Sequence, residues 1–103
     1  MKTLTAPDYR TACWQMARCS SDVLSASLAY FNAENPKDAD WALIEGLLTK
    51  AARWAKLSGQ SQLSKAIQDL GFHCWLWGSL SDENCQFIDG MKVIRGLICE
   101  VMA

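Results

Sequence analysis

The sequence predicts an all-α fold, a compact up-down bundle of four helices that forms a single domain over residues 1–103. Three observations lead to this prediction. Apolar residues recur three and four positions apart through four long segments, residues typical of helix ends separate these segments, and the connections are short. Short connections favour antiparallel packing of neighbouring helices. Half of the residues are hydrophobic, so the chain can bury a core of its own.

The first helix is predicted over residues 6–32. Thr5 can cap its N-terminus, Pro7 lies in the first turn, where a missing N–H costs nothing, and Asp8 suits the positive end of the helix dipole. The residues expected on its core-facing stripe are Tyr9, Ala12, Cys13, Met16, Ser20, Val23, Leu24, Ser27 and Phe31.

The second helix is predicted over residues 39–58. Pro36 disfavours helical geometry at Asn35, which ends the first helix, and either Asp38 or Asp40 can cap the second. A glycine at position 59 is typical of a helix C-terminus. The expected core stripe is Ile44, Leu47, Leu48, Ala51 and Ala55, with Trp41 and Trp54 at its edges.

The third helix is predicted over residues 61–80, with Ser61 as its cap. Gly71 is its weak point, because a break there would divide the bundle into five helices. We expect a continuous helix, since a lone strand at 72–77 would have no strand to pair with. Gly71 and Gly78 then lie on one side of it. The expected core residues are Leu63, Ala66, Ile67, Leu70, Cys74 and Trp77.

The fourth helix is predicted over residues 82–102, with Ser81 as its cap and acidic residues in its first turn. Gly90 and Gly96 each lower its helix propensity by roughly 1 kcal/mol relative to alanine, so tertiary packing must hold it. The expected core residues are Phe87, Ile88, Met91, Ile94, Ile98, Val101 and Met102.

A second apolar face on the third helix is the strongest functional signal in the sequence. Phe72, Trp75 and Leu76 follow one another at i, i+3 and i+4, opposite the core residues. Either the long first helix covers this face, or the face binds another protein; aromatic residues are enriched at interfaces, and we expect binding. The predicted partner-binding residues are Phe72, Trp75, Leu76, the rim residues His73 and Gln68, and Trp14 as a second, smaller patch.

The function predicted from this face is that of a non-enzymatic protein-binding module. It would be a small adaptor or inhibitor, of the kind that bacteria and phages encode, docking onto a partner protein or onto a second copy of itself. Binding of this type needs only shape and a few anchoring side chains. The prediction implies that Trp75→Ala abolishes binding while helicity survives.

The motifs of enzymes and cofactor sites are absent from the sequence. It has no glycine-rich phosphate loop, no G-x-S-x-G, no H-E-x-x-H and no C-x-x-C. We therefore expect no catalytic residue, no cofactor and no metal. A small Cys/His metal protein is the weakest alternative, because His73 is the only histidine and its neighbour Cys74 points about 100° away from it on a helix.

Nucleic-acid binding is the main alternative function. It would use Lys50, Arg53 and Lys56 with the ring of Trp54. Three cations are few, and the net charge is −1, so a solvent-exposed helix face explains them equally well.

We expect a cytoplasmic protein that does not cross a membrane. The longest apolar run, residues 74–77, is too short to span a bilayer, and the N-terminal residues include no apolar signal segment. Five cysteines are an odd number with no paired motif, which favours free thiols in a reducing compartment.

Overall fold

The computed structural model describes the backbone of residues 9–34, 38–80 and 84–102, and the side chains of residues 10–34, 38–74 and 87–102. The described chain is an all-α bundle without β-strands, as predicted. Its helices are α1 (Tyr9–Phe31), α2 (Trp41–Leu57), α3 (Ser61–Leu80) and α4 (Asn84–Met102). Within the described residues, no helix combines the length and the apolar character needed to cross a membrane.

The ends of α2 are set by local hydrogen bonds that the sequence predicts. Asp40 is the N-cap, and its side chain accepts a hydrogen bond from the backbone N–H of Leu43 at 3.1 Å. At the other end Gly59 has a φ of 90°, a left-handed conformation that glycine adopts without strain. The predicted caps Thr5 and Ser81, with Pro7, Asp8, Asn35 and Pro36, lie outside the described residues.

Helix α3 continues through Gly71 without a break. A Cβ added at this position would lie 3.5 Å from the Cβ of Leu48, an ordinary van der Waals contact, so α3 packs closely on α2 here without requiring glycine. The two helices are also joined by a buried hydrogen bond of 2.8 Å, which the Ser64 hydroxyl donates to the carbonyl oxygen of Ala52.

Aromatic contacts align α1 with α2. Trp14 near the start of α1 meets Trp54 near the end of α2, and Tyr30 at the end of α1 meets Trp41 at the start of α2. These two contacts show that the helices lie side by side in opposite directions. Phe87 at the start of α4 packs on Tyr30 and on Trp41, with ring centroids 4.5 and 5.5 Å apart. The first turn of α4 is thereby held against the end of α1.

The core agrees with most of the predicted stripes on α2, α3 and α4. Within these helices, Leu47, Ala66, Ile88 and Val101 are only partly buried, and the side chain of Trp77 lies outside the described residues. Among the described residues, the largest fully buried side chains are Phe87, Met16, Ile44, Leu48, Ile67, Ile94, Cys19 and Cys74. Met102, predicted in the core, is exposed because it lies in the last turn of α4.

On α1 the predicted stripe was wrong at several positions. Among the described side chains of α1, the buried ones are Ala12, Met16, Cys19, Val23, Ala26 and Tyr30, spaced by three and four residues, with Asp22 beside them; the side chain of Tyr9 lies outside the described residues. The true stripe is thus rotated toward small side chains, which let α2 pack closely. Leu24 and Phe31 are exposed instead, while Cys13, Ser20 and Ser27 are partly buried.

Candidate functional site

The face predicted on α3 is described at three of its five residues. Phe72 exposes 67% of its surface, and Gln68 and His73 are also exposed. Helix α3 passes through Trp75 and Leu76, but their side chains lie outside the described residues. Phe72 is thus exposed on the predicted face, and the partner-binding role of all five residues remains a prediction.

The surroundings of Phe72 are shallow. A depression of about 250 Å³ beside its ring is lined by Glu45, Thr49, Ile67, Gln68 and Gly71. The ring of His73 packs edge-on against Phe72 at 5.6 Å, and its Nδ1 lies 2.7 Å from the carbonyl oxygen of Asp69. The side-chain amide of Gln68 donates a hydrogen bond to the Ser64 hydroxyl at 3.1 Å. The two rim residues are therefore oriented by α3 itself.

Trp14 is not an isolated patch, because the structure brings it against Trp54. The two rings meet edge to face at 5.2 Å, and the guanidinium of Arg18 lies 5.9 Å from one ring and 5.8 Å from the other. Two aromatic rings attract each other in an edge-to-face arrangement, and a cation is attracted to the face of a ring. Trp14 still exposes 56% of its surface, but its contacts link α1 to α2.

The basic face of α2 is exposed as the sequence predicts, at Lys50, Arg53 and Lys56. Trp54, however, is partly buried and already contacts Trp14 and Arg18. A ring held in this way offers less of its face for base stacking, so the contacts of Trp54 favour a structural role over the nucleic-acid alternative.

The buried thiols are poorly suited to chemistry. Burial raises the pKa of Cys19 to about 11 and that of Cys74 to about 12, and the nearby charges of Asp22 and Glu45 add to the respective shifts. The neutral thiol is neither a strong nucleophile nor a good metal ligand. Among the described residues, no three His, Cys, Asp or Glu side chains come close enough together to hold a metal ion.

A groove of about 540 Å³ lies between α1 and α4. It arises because α4 is held to α1 by the Tyr30–Phe87 contact and the two helices otherwise touch much less than helices adjacent in the chain. Its walls are mostly apolar. The lining residues are Ser20, Val23, Leu24, Ser27, Leu28, Phe31, Phe87, Ile88, Met91, Lys92, Arg95, Ile98 and Cys99.

The α1 wall of this groove is a second apolar stripe. Leu24, Leu28 and Phe31 follow one another at i, i+4 and i+7 and expose 60, 52 and 65% of their surfaces. Such spacing places them on one face of the helix. This site is not predicted from the sequence, because periodicity alone places Leu24 and Phe31 in the core. The signal was that α1 carries more apolar positions than one helix face can hold.

Comparison with protein-family models, with curated proteins and with solved structures found no match to this chain. Its function is therefore inferred from the geometry of these surfaces alone.

Proposed function

We propose that this chain is a non-enzymatic protein-binding module, an up-down bundle whose α1–α4 side is open and receives a helix from a partner protein. Such a module acts as an adaptor or an inhibitor by covering part of its partner's surface. A reducing compartment such as the cytoplasm suits its free thiols.

The groove between α1 and α4 is the observation that carries this proposal. Three large apolar side chains of α1 stay more than half exposed along it, whereas a soluble helix normally buries such a row. Contiguous exposed apolar surface of this kind typically marks an interaction site.

The shape of the groove favours a helix as its occupant. On α1 the lining extends from Ser20 to Phe31, which is about 16 Å, or three turns, at 1.5 Å per residue. Two helices form the long walls, and a third helix laid between them would bury its apolar side as in other helix-in-groove complexes. The missing contacts between α1 and α4 would then be supplied by the partner.

Selection from a displayed library of randomised 20-residue helical peptides tests the proposal. We expect binders with apolar residues at i, i+3 or i+4, and i+7, whose affinity falls roughly tenfold or more in Leu28→Ala and in Phe31→Ala. Leu43→Ala is the matched control, because Leu43 is a leucine of α2 that exposes 50% of its surface and does not line the groove.

Two results would overturn the proposal. One is a library that yields no peptide whose binding depends on Leu28 and Phe31. The other is a dimer of the chain alone, found by light scattering after size exclusion, that becomes a folded monomer in Leu28→Ala. In that case the groove would be filled by a second copy rather than by another protein.

A further inference from the structure

The charged side chains among the described groove residues are both basic. Lys92 and Arg95 lie three residues apart on α4, so they project from the same side of the helix. Both are exposed. The groove thus has an apolar floor and wall, and a positive edge on its α4 side.

We infer that the partner helix is acidic: an amphipathic helix with Asp or Glu along the edge that lies over α4 and with apolar residues on the face that enters the groove. This inference rests on the proposed function and names the chemistry of the partner. Cations beside an apolar groove guide an oppositely charged helix and fix the direction in which it lies, and they disfavour a basic one.

The same two cations disfavour a second copy of the chain as the occupant. In a symmetric dimer the same surface of both copies forms the interface. If two such grooves faced each other with α4 over α4, Lys92 and Arg95 of one copy would approach the same pair of the other, and in any arrangement the described groove lining of the second copy offers them no carboxylate. A partner with carboxylates removes this repulsion, which is why the occupant is assigned to a different protein.

The test uses one groove-binding peptide made in three versions that differ only in the residues flanking its apolar face, which are all glutamate, all glutamine or all lysine. Binding of the fluorescein-labelled peptides is measured by anisotropy at low and at moderate salt. We expect the glutamate version to bind roughly tenfold more tightly than the lysine version at low salt, with the glutamine version between them. Added salt should reduce the difference in affinity between the glutamate and lysine versions.

Two charge-matched double variants locate the effect. In Lys92→Gln/Arg95→Gln the preference for glutamate should fall to within about twofold, because the positive edge is gone. Lys50→Gln/Arg53→Gln removes the same charge from the exposed face of α2, outside the groove, and should keep the preference.

Each result bears on a different claim. Equal affinities of the three peptides, or a preference that survives in the Lys92/Arg95 variant, would overturn the acidic-helix inference while the proposed function stands. If none of the peptides binds in a way that depends on Leu28, the proposed function itself fails. A preference that is lost only in the Lys92/Arg95 variant supports both.

Discussion

Leu70 of α3 occupies the space that a side chain at position 90 of α4 would need. A Cβ built on Gly90 would lie 2.7 Å from the Cδ1 atom of Leu70 and 3.4 Å from its Cδ2. Leu70 is buried, and the end of its side chain would have to shift to admit a Cβ at position 90. The glycine therefore lets α3 and α4 approach closely, at the expense of helix propensity in α4.

Glycine-to-alanine substitutions should distinguish a glycine that permits close helix packing, such as Gly90, from glycines that contact no other side chain. Gly96→Ala and Gly46→Ala meet no atom within 4 Å, so each should raise the free energy of unfolding by about 0.5–1 kcal/mol through better helix propensity. Gly90→Ala should gain nothing or lose about 1 kcal/mol, because Leu70 must shift. Urea unfolding measures all three, and an equal gain at Gly90 would contradict the close-approach role.

A buried carboxylate on α1 predicts a stabilising substitution. Asp22 exposes only 9% of its surface, and its Oδ2 atom has no hydrogen-bond partner. Removing a desolvated, unpaired oxygen is favourable, so Asp22→Leu, which is close to isosteric, should raise the free energy of unfolding by about 1–3 kcal/mol.

Asp89→Leu on α4 is the control for Asp22→Leu, because Asp89 is exposed and the change in helix propensity is the same. The difference between the two variants isolates the effect of burial. Thermal unfolding at neutral pH is the measurement. If Asp22→Leu gains no more than Asp89→Leu, the buried oxygen is not a source of instability.

The two buried thiols predict a loss of stability in alkali. In the unfolded chain they ionise near their ordinary pKa of 9.0, but the folded state holds the pKa of Cys19 at about 11 and that of Cys74 at about 12. Above pH 9 the unfolded state binds fewer protons than the native state, so the free energy of unfolding falls as the pH rises toward 12.

Urea midpoints at pH 8 and pH 10.5 measure this effect. Other groups also titrate in this range, so the decisive comparison is with Cys19→Ala/Cys74→Ala, which should lose less stability between the two pH values. Equal losses in the two proteins would show that the thiols do not titrate differently on unfolding.

The sequence predicted the helices well and the surfaces poorly, for a physical reason. Helix ends depend on neighbouring residues, such as the Asp40 cap and Gly59, and these can be recognised locally. Which face of α1 is buried depends on how the other helices pack against it, and the buried face carries the small residues Cys19 and Ala26. Periodicity alone could not choose between them and the larger Leu24 and Phe31.

The groove likewise depends on how helices that are distant in the sequence pack together. It exists because α1 and α4 are joined at the aromatic cluster of Tyr30, Trp41 and Phe87 and touch little elsewhere. The distance between two helices that are far apart in the sequence is not encoded in any short sequence pattern. The convergence of Trp14 and Trp54, predicted here as parts of two unrelated sites, could not be foreseen for the same reason.

Cys99 allows a direct test of whether the open side between α1 and α4 binds a helix. It is an exposed thiol that lines the groove, whereas Cys13 is partly exposed and does not line it. The measurement is the alkylation rate of each cysteine by iodoacetamide, with and without a groove-binding peptide at about ten times its Kd. Only about a tenth of the protein is then unoccupied. The rate at Cys99 should fall roughly tenfold while that at Cys13 stays constant; an unchanged rate at Cys99 under saturating peptide would contradict the claim.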